Sequence, residues 1–116
     1  MLIRYKKNHE KIAMGLLSFM PKRENVKALQ EVIHQYENEA GWELYLWKEN
    51  EDFIGLLGIE VEEDSFTLHD IALNPSFRGE GIGKAMVNEI RQRYSDKTCH
   101  STEMTEGFLT KCNEGE

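Results

Sequence analysis

Residues 71–84, Ile-Ala-Leu-Asn-Pro-Ser-Phe-Arg-Gly-Glu-Gly-Ile-Gly-Lys, are where residue type and spacing point to a definite chemistry in this chain. An apolar run passes through a proline turn into Arg78-Gly79-Glu80-Gly81-Ile82-Gly83 and straight on into a helical pattern. Glycines let a backbone come close to a bulky anion, and the start of a helix aims unpaired N–H groups and the positive end of its dipole at it. The pattern predicts a pyrophosphate cradle. Spacing separates three glycine-rich alternatives. A Walker A loop needs glycine at position 78 and Ser or Thr at 85, where Arg78 and Ala85 stand. A dinucleotide fingerprint starting at Gly79 needs glycine at 84, where Lys84 stands, and belongs in an early βαβ unit. What fits is R-x-x-G-x-G, spelled by Arg78, Gly81 and Gly83.

The elements that must position this loop follow from hydrophobic period. Residues 2–5 read as a short edge strand. Ile12, Leu16, Phe19 and Met20 recur at helical spacing on one face of a helix that Pro21 ends. Val26, Leu29, Ile33 and Tyr36 repeat the logic up to a stop at Ala40-Gly41, and the two helices read as an antiparallel pair. From Trp42 the period becomes two, with Trp42, Leu44 and Leu46 facing one way and Glu43, Tyr45 and Trp47 the other. Turns at 48–52 and 62–65 join this strand to strands at 53–62 and 66–73, a meander of three. Gly81-Ile82-Gly83 then opens a helix whose face carries Ile82, Met86, Ile90 and Tyr94, followed by a strand at 98–102 and a short helix at 105–112.

Composition bounds the function. The chain has 116 residues, 40% hydrophobic and 30% charged, enough for an ordinary core without metal or disulfide staples. Its 14 basic against 21 acidic side chains give a net charge of −7, which argues against a nucleic-acid partner and suits a cationic or amine-bearing one. No apolar stretch approaches the about 20 residues a bilayer crossing requires, and Met1-Leu2-Ile3-Arg4 lacks a signal-peptide pattern, so a cytoplasmic location is expected. Cys99 and Cys112 read as free thiols. His9, His34, His69 and His100 are scattered without metal-ligand spacing, so no metal is expected. Tyr5, Tyr36, Trp42, Tyr45 and Trp47 read as core and sheet packing, since no basic residues interleave with them.

The R-x-x-G-x-G motif, its flanks Leu73-Asn74-Pro75 and Arg78-Gly79, and the element order over nearly the whole chain resemble the GCN5-related N-acetyltransferases. The resemblance implies an α+β single domain spanning 1–116, with a mixed, mostly antiparallel sheet flanked by helices on both faces and shortened at the C-terminus. It implies acetyl-coenzyme A in a cleft where two strands splay apart. The backbone of Ile71, Ala72 and Leu73 would pair with the pantetheine arm. Gly79, Gly81, Ile82 and Gly83 would hold phosphate oxygens, with Glu80 in the same loop and Arg78 and Lys84 adding charge.

The resemblance also implies acetyl transfer to an amine, borne by a small molecule or a protein. The oxyanion would meet a backbone N–H, here that of Leu73, and a base would come from the neighbouring strands, where Glu60, Glu62, His69 and Asp70 are available. His69, with a reference pKa of about 6.5, needs little tuning to act near neutrality. Glu60 and Asp70 are the other two catalytic candidates. Against this, acidic residues near strand ends are usually solvated, and His69 with Asp70 could be a hydrogen-bonded pair closing the sheet. Where many members carry a tyrosine on the last helix as proton donor, this chain has Leu109, while Cys112 reads as packing. The final hairpin of most members has no counterpart before Glu116, so a homodimer partner completes the acceptor pocket or it stays open. The rival expectation is a coenzyme A-binding sensor or interaction module with little or no turnover.

Overall fold

The computed structural model describes residues 1–23 and 25–114. Five strands form one sheet in sequential order: β1 (Leu2–Arg4), β2 (Trp42–Glu49), β3 (Asp52–Val61), β4 (Ser65–Leu73) and β5 (Thr98–Ser101). The first three junctions are antiparallel and the β4–β5 junction is parallel. The helices α1 (Glu10–Leu17) and α2 (Val26–Asn38) precede β2, α3 (Ile82–Arg93) links β4 to β5, and α4 (Glu106–Glu114) follows.

Two apolar cores lie on the two faces of the sheet. Leu44, Leu46 and Leu56 pack with Ala13, Leu16, Leu17, Leu29, Ile33 and Tyr36 of α1 and α2. Tyr45, Leu57, Ile59, Phe66 and Leu68 pack with Met86, Val87 and Ile90 of α3 and with Leu109 and Cys112 of α4. The alternation read from β2 therefore divides its side chains between two cores, as a strand covered on both faces must. Helix α1 departs from the expected phase. Its buried face is Ala13, Leu16 and Leu17, continued by Met20, whereas Ile12 and Phe19 are 41% and 45% exposed. The small Ala13 takes the core position, and the bulkier Ile12 beside it faces outward, one residue from the expected phase. The helix also stops at Leu17 rather than at Pro21, tightening through Phe19 N–H to Leu16 O and Met20 N–H to Leu17 O. Val26 opens α2 but faces solvent, while Leu29, Ile33 and Tyr36 are buried as expected.

Two irregularities on β4 matter for function. Its pairing with β3 runs from Val61↔Phe66 to Ile59↔Leu68 and resumes at Gly58↔Asp70, leaving His69 as an extra residue, a β-bulge. The extra residue reverses the parity of the strand. Phe66 and Leu68 face α3, and after the bulge Ile71 and Leu73 face it. Second, β5 pairs with β4 only from Ser65↔Thr98 to Leu68↔Ser101. At that fork stands Thr105, fully buried, whose hydroxyl donates to the Leu68 carbonyl at 2.7 Å and accepts from Thr102 N–H at 2.9 Å.

Candidate functional site

Beyond the fork, a cavity of about 500 Å³ opens between the end of β4, the loop into α3, and α4. Asn74 N–H bonds Ile54 O at 2.8 Å, so the alternation of an antiparallel ladder places Ala72 opposite Leu56 in the next bonded pair. Ile71 and Leu73 therefore turn their N–H and C=O groups away from β3, toward the side that β5 has left. A strand edge faces the cavity.

The loop is shaped by its glycines. A short turn at Pro75–Phe77 is capped by Asn74, whose side-chain oxygen accepts from Ser76 N–H at 3.0 Å. Gly79 and Gly81 adopt φ of +85° and +80°, conformations that strain any L side chain. Gly81 is the N-cap of α3, and Ala85 N–H returns to its carbonyl at 3.0 Å. The N–H groups of Ile82 and Gly83 fall in the first turn, where no intrahelical acceptor exists. A β-carbon on Gly79 or Gly81 would meet nothing within 4 Å, so these glycines serve backbone shape and openness. Gly83 serves packing, because a β-carbon there would stand 2.6 Å from Phe108 Cζ. Its absence lets α4 close against the loop.

Every strand and loop residue expected to meet a cofactor lines this cavity except Glu80, which is exposed and not part of the lining. The charged side chains lining it are Arg78, Lys84 and Lys111, and among the described residues no carboxylate does. Its apolar wall includes Phe19 and Phe108. Phe19, read as a core residue, reaches the cavity from the segment after α1. Lys111 and Phe108 lie three residues apart on α4, a spacing that puts both on one face.

The titratable candidates divide into two groups. His69 Nε2 lies 2.9 Å from Glu60 Oε1, and its ring stacks on Trp42 with centroids 4.4 Å apart. Both His69 and Glu60 are partly exposed. Asp70 is instead 1% exposed, accepting from the Tyr36 hydroxyl at 2.5 Å and from Arg23 Nη2 at 3.2 Å. Burial, and then the Asp70 carboxylate, push the Tyr36 phenol well above its ordinary pKa. A β-carbon on Gly58 would collide with that phenol, so glycine there makes the pairing possible. His69 is therefore paired with Glu60 and not with Asp70, and the enclosed Asp70 is not placed to take a proton from a substrate. It ties β4 to α2 and to the α1–α2 segment. Glu62 lies in the turn after β3, exposed, its backbone bonded to Ser65 and Lys97.

No tyrosine lines the cavity among the described residues. Leu109 is buried in the α3-side core and offers no proton. Cys112 borders the cavity at 7% exposure, and burial raises its thiol pKa above the usual range, so it behaves as packing. Among the described residues no group of three His, Cys, Asp or Glu could hold a metal ion, and no helix is long and apolar enough to cross a membrane.

Comparison with known proteins places this geometry. A model of the acetyltransferase (GNAT) family matches residues 10–111. An uncharacterised N-acetyltransferase in the lysA 3′ region of Bacillus methanolicus is 53% identical over 113 residues, covering 97% of this chain and 94% of that one. The apo aminoglycoside antibiotic 6′-N-acetyltransferase AAC(6′)-Ig of Acinetobacter haemolyticus shares the fold with a TM-score of 0.77 at 13% identity, over 100% of this chain and 90% of that one. A GNAT family acetyltransferase from Elizabethkingia anophelis with acetyl-CoA bound gives 0.72 at 20% identity, over 99% and 73% of the two chains.

Proposed function

We propose, for a chain that belongs to the acetyltransferase (GNAT) family, that it transfers the acetyl group of acetyl-coenzyme A to a primary amine on a small molecule or a protein. The supporting observation is the fork: an open strand edge at Ile71 and Leu73 leading to a glycine loop at a helix start, in a cavity lined by cations and, among the described residues, by no carboxylate. The extended pantetheine arm pairs with that edge and the pyrophosphate lies on Gly79, Gly81, Ile82 and Gly83, assisted by Arg78 and Lys84.

His69 is the general base, held by Glu60 and by the face of Trp42. It takes a proton from the amine as nitrogen attacks the thioester carbon. The carbon–sulfur bond then breaks, and coenzyme A leaves as a thiolate that takes its proton from solvent, since Leu109 supplies none. Strand spacing supports one choice of oxyanion donor. At about 3.3 Å per residue Leu73 stands about 13 Å from His69, whereas Ile71 stands about 7 Å away, within reach of one reacting carbonyl. Its N–H therefore replaces that of Leu73 as the donor.

The segments Met1–Lys7 and Met14–Pro21 also resemble RibT, the small acetyltransferase-like protein encoded in bacterial riboflavin operons, and on that basis we place this chain as a single cytoplasmic domain over 1–116 of that kind. A second subunit closing the acceptor side is part of the same proposal. Leu109 favours a second reading, a coenzyme A-binding module with little turnover. Thiol release from acetyl-coenzyme A separates the two. Under the first reading it rises when a panel of amines is added and falls with His69→Ala; no amine-dependent release across a broad panel selects the second.

A further inference from the structure

A protein of net charge −7 concentrates cations at one cavity, and they come from two different elements. Arg78 and Lys84 bracket the glycine loop. Lys111 belongs to α4. The course of that helix is fixed at two points: it starts at the fork, where Thr105 bonds the Leu68 carbonyl, and passes the loop where Phe108 packs over Gly83. Leu109 and Cys112 are buried in the core, which fixes its rotation and leaves Phe108 and Lys111 on the cavity side. At 1.5 Å per residue Lys111 lies about 9 Å beyond Thr105 along the axis. A ligand with its acyl end at the fork and its pyrophosphate on the loop thus has its nucleotide end beside Lys111. Among the described residues the Lys111 ammonium has no ion-pair or hydrogen-bond partner.

Resting on the acetyl-coenzyme A reading above, we propose that Lys111 determines cofactor specificity by binding the 3′-phosphate on the ribose of coenzyme A. A phosphate monoester carries close to two charges near neutrality, and a charge-assisted N–H···O contact to it is stronger than a neutral one. Loop and backbone contacts hold what coenzyme A shares with 3′-dephospho-coenzyme A. Lys111 senses the group by which they differ.

The test is calorimetric titration of the full chain with coenzyme A and with 3′-dephospho-coenzyme A, for wild type, Lys111→Met and Lys111→Arg. The wild type is expected to prefer coenzyme A by about tenfold. Lys111→Met should bind both ligands equally, with the affinity for the dephospho ligand unchanged, and Lys111→Arg should restore most of the preference. Equal weakening toward both ligands in Lys111→Met, or a preference that survives it, overturns the assignment while leaving the cofactor reading intact. A wild type that binds neither ligand overturns both.

Discussion

The glycine loop and the bulge lie close together along β4 and its exit, yet they are built in opposite ways. The loop is a local object. Positive φ at Gly79 and Gly81 and an N-cap at Gly81 are properties of a few consecutive residues. The bulge is a product of distance in sequence. His69 and Asp70 are neighbours in the chain, but their partners arrive from β2, β3, α2 and the α1–α2 segment: Trp42 and Glu60 for one, Tyr36 and Arg23 for the other. A one-residue slip in pairing puts both side chains on the α1–α2 side of the sheet, and their partners then divide them into an accessible group and an enclosed one.

This contrast can be broken at either end. The largest effect should come from Gly81→Asp, which forces a side chain into φ +80° and sets a carboxylate in the proposed pyrophosphate cradle. Affinity for acetyl-coenzyme A should fall at least a hundredfold, about 3 kcal/mol, with the far-ultraviolet spectrum unchanged; undiminished affinity would remove the loop from the site. Next, Asp70→Ala strands the Arg23 guanidinium and the Tyr36 phenol, and should lower stability by about 3 kcal/mol in urea unfolding. A loss under about 0.5 kcal/mol would mean that the enclosed group carries little weight. His69→Ala should do the converse, lowering kcat about a hundredfold while shifting the urea midpoint little, and Glu60→Gln should cost about tenfold. Similar stability losses for the His69 and Asp70 variants would erase the distinction.

The smallest effect is alkaline. Burial raises the Tyr36 pKa, so above about pH 10 the unfolded phenol releases a proton that the folded one keeps. The unfolded state then binds fewer protons, and stability falls as pH rises, by up to about 1.4 kcal/mol per pH unit for one such group. Below pH 10 the phenol stays protonated in both states and leaves stability unchanged. Tyr5, Tyr45 and Tyr94 are raised too, by burial first and by hydrogen bonds to Glu37 or Glu43, so Tyr36→Phe should lessen the alkaline decline without abolishing it.

The legibility of the chain follows the same division. Strands of period two, the turn at Asn50 and the loop glycines could be read because each depends on local backbone demands. The phase of α1 could not, because Ala13 and Ile12 compete for the core and only tertiary packing decides. The bulge left a trace that a strict period of two passes over: apolar residues at 66 and 68, then at 71 and 73. Arg23 left none, since an arginine in a polar connection reads as solvated until a buried carboxylate is seen beneath it. Phe19 has the size and polarity of a core residue, and only the packing after α1 turns it to the cavity.

Thr105 carries a consequence of its own. By occupying the Leu68 carbonyl it blocks the two parallel strands from zipping further, so the unsatisfied edge is permanent. Bare edges at a sheet's perimeter invite other chains to add on and aggregate, but this one is recessed in a narrow V and admits only something slender. The hydroxyl that keeps the slot from healing shut thus leaves a bare edge inside a cavity and not at the sheet's perimeter.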